Sequence, residues 1–165
     1  MSAIVSEFNP EDWRHVREIY EEGIESGDAT FETQVPAWDE WDKSHLSYCR
    51  LVVRQNSKIL AWAALSPISE RCIYGGVAEV SIYVSQNWRS KGIGTLLLNA
   101  LIKESEKKGI WILQAGIFPE NKASVKLHLK CGFREVGVRE KLGKHKGVWR
   151  DVLYLERRSR CVGID

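Results

Sequence analysis

The chain has 165 residues, 44% hydrophobic and 28% charged, with 24 Lys plus Arg against 22 Asp plus Glu and a formal net charge of +2. That describes one globular domain, residues 1–165, with apolar side chains enough for a sizeable core, and the near-neutral balance gives no charge signal for a nucleic-acid partner. No apolar stretch approaches a membrane span, no signal peptide is visible at the start, and Cys49, Cys72, Cys131 and Cys161 form no C-x-x-C pair, so neither a metal site nor a disulfide framework is expected and a cytoplasmic protein with reduced thiols is.

In chain order, AIVSEF (residues 3–8) reads as a short strand. NPEDWRHVREIYEEGIES (9–26) reads as a helix: Asn9 can cap it, Pro10 suits its first position, and Glu11 and Asp12 suit its positive end. Its apolar stripe is Trp13, Val16, Ile19, Tyr20 and Ile24, at helical spacing. Turn formers in GDATFETQVP end it, and AWDEWDKSHLS (37–47) is a second, shorter helix. CRLVVRQ (49–55) and KILAWAALSPIS (58–69), joined by Asn56 and Ser57, form a hairpin. AEVSIYVS (78–85) is a further β-branched strand. A helix from Ile93 to Lys108 ends at Gly109, and IWILQAGIF (110–118) is a strand. ENKASVKLHLKCG (120–132) is a helix capped by Asn121 and closed at Gly132. FREVGVREKLG (133–143) and VWRDVLYLERR (148–158) are two last strands with a turn at KHKG, and ERRSR (156–160) reads as a solvated tail end. The order β-α-α-β-β-β-α-β-α-β-β predicts an α/β (α+β) fold on a mixed sheet, with parallel pairing from the strand–helix–strand units and antiparallel edges from the hairpins.

NWRSKGIGTLLLNAL (87–101) places Gly92 and Gly94 where a helix begins, although glycine costs about 1 kcal/mol against alanine inside a helix. The first N–H groups of a helix lack partners and carry the positive end of its dipole. With Arg89 and Lys91 alongside, that is the chemistry of a phosphate cradle. A flexible helix entry with solvated basic side chains is the other reading. Two nucleotide fingerprints fail here: G-x-x-x-x-G-K-[ST] is absent, and Leu97 stands where G-x-G-x-x-G needs its third glycine.

RSKGIG (89–94) resembles the Arg/Gln-x-x-Gly-x-Gly/Ala motif of the GNAT superfamily of acetyl-CoA-dependent N-acetyltransferases. NKASVKLHLKCGF (121–133) is similar to that superfamily's Asn-x-x-Ala/Ser…Lys-x-Gly-Phe segment, in the expected order with one strand between them. GVAEVSIYV, WILQAGIFPEN and GVWRDV resemble more narrowly the phosphinothricin and methionine-sulfoximine acetyltransferase branch, and the resemblance covers nearly the whole chain. It implies a central mixed, mostly antiparallel sheet flanked by about four helices, acetyl-CoA as co-substrate, a small-molecule amine as acceptor, and a homodimer. By position, it implies that the backbone of Ile82, Tyr83 and Val84 holds the pantetheine arm. The turn of Ser90, Lys91, Gly92, Ile93, Gly94 and Thr95 takes the pyrophosphate, and Asn121 and Lys130 make further cofactor contacts. Ser90 departs from the glycine that many members carry there.

Amine attack on a thioester needs a neutral amine, and a free α-amino group titrates near pH 8, so a modest base suffices. Glu79 is the candidate base, because an acidic side chain in a β-branched strand costs desolvation unless it has a partner or a task; an exposed strand carboxylate is the alternative. His128 holds the position where the superfamily usually has a tyrosine general acid, and the branch has histidine there; a surface histidine without a role is the other reading. On the substrate side the resemblance places Phe31, Arg71, Tyr74 and Glu79. Phe31 either packs on the substrate or plugs the core under its loop. Arg71 either pairs with a substrate carboxylate or stands solvated. Trp149 is either core or dimer support. The leading expectation is acetyl transfer to the α-amine of a small amino acid or analogue, of the phosphinothricin or methionine-sulfoximine type. Acetylation of protein or peptide amines, and a non-catalytic acyl-CoA-binding module, are the alternatives.

Overall fold

The computed structural model describes residues 2–165. Among them, strands and α-helices follow the predicted order: β1 (Ile4–Glu7), α1 (Trp13–Ser26), α2 (Trp38–Ser44), β2 (Leu51–Gln55), β3 (Lys58–Pro67), β4 (Val77–Val84), α3 (Ile93–Lys107), β5 (Ile112–Ile117), α4 (Lys122–Lys130), β6 (Arg134–His145) and β7 (Val148–Arg158). The strands form one sheet in the order β1-β2-β3-β4-β5-β7-β6. Each neighbouring pair is antiparallel except β4–β5, so the sheet is mixed and mostly antiparallel.

Both faces of the sheet are covered, which is why β3 reads as an almost unbroken apolar run. On one face α3 buries Leu97, Leu98 and Leu101 completely, each worth about 2 kcal/mol of apolar burial. On the other, Val16, Ile19, Tyr20 and Ile24 of α1 and Trp41 of α2 meet Val52, Ile59, Trp62 and Ala64.

Helix α1 starts later than its capping signals predict. Pro10–Asp12 form a 3₁₀ turn, with the Asp12 carboxylate held on two sides. It accepts the Asn9 N–H at 2.8 Å and accepts from both terminal guanidinium nitrogens of Arg54 from β2. Burial pushes that carboxyl up, but the hydrogen bonds from Arg54 and Asn9 outweigh it and hold it below its usual range.

The chain's end also differs from expectation. The β6–β7 hairpin turns on Lys146 and Gly147 alone, at φ 51° and 81°, the positive-φ geometry that suits the twist of paired strands. The ERRSR run is docked: buried Ser159 donates to Glu106, Arg157 pairs with Glu106, and Arg158 donates to the carbonyls of Ser159 and Val162. Trp149 is 54% exposed, which rules out its core reading.

The one parallel pair creates the cleft. β4 and β5 are in register only at Val77↔Ile112, Ala78↔Leu113 and Glu79↔Gln114. Beyond that point β5 continues beside β7 to Ile117, and β4 continues beside β3 to Val84. The two strands splay, and the edge of β4 from Val80 to Val84 that faces β5 has no strand partner among the described residues.

Candidate active site

Two cavities open where the strands diverge, one of about 740 Å³ and one of about 630 Å³. Both are lined by Ala29, Ile82, Tyr83, Asn121 and Ser124. They are therefore two arms of one cleft, joined beside the open edge of β4.

The larger arm runs from Ile82, Tyr83 and Val84 to the first turn of α3 and to α4. No side chain caps α3, so the N–H groups of its first turn are free for a ligand. The turn into it uses the left-handed backbone twice, at Ser90 (φ 61°) and Gly92 (φ 81°). That conformation explains why glycine would suit position 90, where serine holds it at some strain. Gly94 answers a different need: a Cβ there would sit 3.1 Å from Leu127 Cδ2, so its bareness lets α3 approach α4. Ile93 is buried in the core and offers the cleft only its backbone. Lys91 stands over the Trp88 ring, 5.0 Å from its centroid, while Arg89, Ser90, Thr95 and Lys130 line the arm. Asn121 Oδ1 caps α4 by accepting the Ser124 N–H at 3.3 Å. An open strand edge, an uncapped helix N-terminus and a set of cations fit the amides and pyrophosphate of a CoA thioester.

The smaller arm holds Glu79 and His128 together. Gln114 Nε2 donates to Glu79 Oε2 at 3.4 Å across the last parallel pair. Burial pushes the Glu79 carboxyl above its ordinary range, and the Gln114 hydrogen bond offsets only part of that. His128 is 2% exposed. Its Nδ1–H donates to the Ser124 carbonyl at 2.7 Å, and its Nε2 has no protein partner. Burial lowers its pKa, so the ring is neutral near pH 7 with a free lone pair on Nε2. As held, Nε2 accepts protons, and a general-acid step there requires it to gain one first. Tyr83 stacks on Trp62 (4.9 Å) and on Tyr20 (5.0 Å), which also contact each other (5.4 Å), so the three rings form one cluster. Burial pushes Tyr20 up to about 12 and raises Tyr83 as well, so both phenols are donors rather than bases.

The substrate-side residues divide. Phe31 lines the arm, 37% exposed and edge-on to Phe118 at 4.8 Å, so it forms a wall of the cleft. Arg71 and Tyr74 stack on each other at 5.5 Å in the β3–β4 connection and line neither arm. Residues that sequence reasoning passed over include Tyr20, Glu32, Glu40, Trp41 and His45 on the wall of the smaller arm, and Gln114. Their sequence signal is weak: Tyr20 and Trp41 look like helix core, and Gln114 shows only as one polar residue in an apolar strand.

Residues 12–133 match the model of the Acetyltransferase (GNAT) family. The chain is 29% identical over 155 residues to the phosphinothricin N-acetyltransferase of Streptomyces coelicolor, a match covering 89% of this chain and 91% of that one. It is 35% identical over 83 residues to the L-methionine sulfoximine/L-methionine sulfone acetyltransferase of Pseudomonas aeruginosa. That match covers 50% of this chain and spans about half of the Pseudomonas enzyme, 48%. The crystal structure of a GNAT superfamily phosphinothricin acetyltransferase from Sinorhizobium meliloti in complex with AcCoA matches with a TM-score of 0.84 at 26% identity, covering 100% of this chain and 97% of that one.

Proposed function

Because the chain belongs to the GNAT family of acetyltransferases, we propose that it moves an acetyl group from acetyl-CoA to the α-amine of a small amino acid or analogue, as the names of its Streptomyces and Pseudomonas relatives suggest. The splay of β4 from β5 carries this reading, because it sets a cation-lined arm and a half-buried carboxylate on either side of one open strand edge.

Acetyl-CoA, when bound, supplies a thioester whose carbonyl carbon the neutral amine attacks, with the C–S bond breaking and the sulfur leaving as thiolate. Backbone groups of Ile82, Tyr83 and Val84 bind the pantetheine amides, as an added strand would. The first turn of α3, from Ser90 to Thr95, binds the pyrophosphate. Glu79 takes one proton from the substrate ammonium, directly or through a water. Its raised pKa brings it closer to that of the amine and so eases the transfer. N–H groups along the open edge of β4 are placed to donate to the carbonyl oxygen as charge gathers there. His128 Nε2 is a second proton acceptor on the same wall, and it can return a proton to the thiolate side.

A homodimer remains part of this reading. Val136 and Val138 of β6, one of the two edge strands, are exposed, and sedimentation at micromolar concentration reads the state. The four free thiols suit a reducing, cytoplasmic setting. A thiol-release assay with acetyl-CoA across amino acids, glutamine analogues and lysine peptides tests the whole. Amino acids with a tetrahedral polar side-chain group should outpace peptides and polyamines, and turnover confined to peptides would replace this reading with protein acetylation.

A further inference from the structure

The two arms of the cleft differ in charge. The larger arm, the donor arm, is lined by four cations, Arg89, Lys122, Lys126 and Lys130, against two carboxylates, Asp28 and Glu120. The acceptor arm is lined by Glu32, Glu40 and Glu79 and, among the described residues, by no lysine or arginine. Three guanidiniums touch its wall residues without lining the arm themselves: Arg139, exposed on β6, stands 5.5 Å from the Tyr154 ring centroid, and the other two are already paired. Arg150, 4.0 Å from the Phe118 ring centroid, donates to Asp28 and Glu120. Arg50, over the Trp41 ring, donates to Asp42. Arg71 is stacked on Tyr74, off the wall.

The same arm is built for a polar guest. His128 lines it at 2% exposure, and the Nδ1 hydrogen bond to its own helix turns the unpartnered Nε2 away from that helix. Trp41 is completely buried, lines the arm and has an indole N–H without a partner. Thr30, Ser66 and Ser81 add neutral hydroxyls. Such a wall can hydrogen-bond a neutral polar group or an α-carboxylate, but among the described residues its own lining offers an additional anion no lysine or arginine.

Resting on the acetyl-transfer reading, we propose that the acceptor arm selects against anions: its substrate carries a neutral or cationic group beyond the α-amino acid head, not a phosphinate or second carboxylate. Like charges facing each other across a partly solvated cavity of this size weaken binding by about tenfold or more, even with screening.

The test compares kcat/KM by thiol release at low salt for three acceptors with the same α-amine and α-carboxylate. These are L-methionine sulfone (neutral side chain), L-arginine (cationic, with a non-nucleophilic guanidinium) and L-phosphinothricin (anionic phosphinate). The sulfone and arginine should each exceed phosphinothricin by about tenfold or more. The double variant Glu32→Gln, Glu40→Gln should narrow that gap. Glu18→Gln, exposed on α1 and lining neither arm, removes one negative charge outside the cleft wall and should leave the gap unchanged. Phosphinothricin turned over as well as the sulfone, or a gap indifferent to the double variant, overturns the inference while acetyl transfer stands. No transfer to any of the three, with acetyl-CoA still raising the melting temperature, overturns the acetyl-transfer reading and this inference with it.

Discussion

Glu79 is the residue whose environment most constrains the chemistry. Burial raises its pKa, so wild-type turnover should climb with pH through a limb above the ordinary carboxylate range. Replacing it with glutamine keeps size and the Gln114 contact but removes the base, and kcat should fall roughly 10²- to 10⁴-fold. Near pH 10 the amine is already neutral, so the variant should partly recover; a ratio of variant to wild type that stays flat from pH 6 to pH 10 assigns Glu79 to holding the ammonium instead. Folding is a separate matter. A carboxyl raised on folding adds stability that is fully present below its unfolded pKa, near 4.3, and lost as pH rises through the folded value. At pH 8 the Glu79→Gln protein should therefore be at least as resistant to urea as wild type. The sequence reveals Glu79 because a lone acid in AEVSIYV demands a reason. Gln114 stays hidden because only the parallel register, set by tertiary packing, brings it opposite.

Element by element, the periodic signals worked where one face of a helix or strand is buried, and they blurred at the ends. The stripe from Trp13 to Ile24 gave α1, yet its first turn went to a 3₁₀ turn because Asp12 has a partner 42 residues away in Arg54. No local pattern encodes that pair. Its contribution can be measured. The folded-state pKa of Asp12 is depressed, so the stability it contributes is present above the unfolded value, near 3.9, and is lost as pH falls through the folded one. Asp12→Asn should destabilise the protein by about 3 kcal/mol at pH 7, since it leaves a half-buried guanidinium without its counter-charge. The difference between variant and wild type should shrink toward pH 2. Urea midpoints at the two pH values check both statements, and an equal loss at both would mean that packing, not charge, sets the effect. The paired glycines show the same limit of legibility: sequence placed them at a helix entry, but only the structure separates the conformational need at Gly92 from the close packing at Gly94.

At the scale of the molecule, three residue pairs are, among the described residues, the only strand pairing between β1–β4 and β5–β7. A ligand in the donor arm would touch both sides, β4 through Ile82, Tyr83 and Val84 and the second half through α4. Binding to the folded state alone adds about 2.7 kcal/mol at a ligand concentration of 100 Kd. For a chain of this length that is a rise of about 5–10 °C in melting temperature. Amide exchange should slow in two separated places, along Val80 to Val84 and across the first turn of α3. Thr95→Glu then tests placement without confusing it with folding. A carboxylate in the first turn of a helix favours the helix by about 0.3–1 kcal/mol, so the apo variant should melt at or above the wild-type temperature. The same carboxylate would face the pyrophosphate and repel it, so the rise induced by acetyl-CoA should largely disappear. Stability and binding are thus expected to move in opposite directions, which simple misfolding cannot imitate. A full acetyl-CoA shift in the Thr95→Glu protein, or slowed exchange confined to β4, would mean that the pyrophosphate sits away from the α3 turn, and the glycines there would then be explained by backbone shape and helix packing alone.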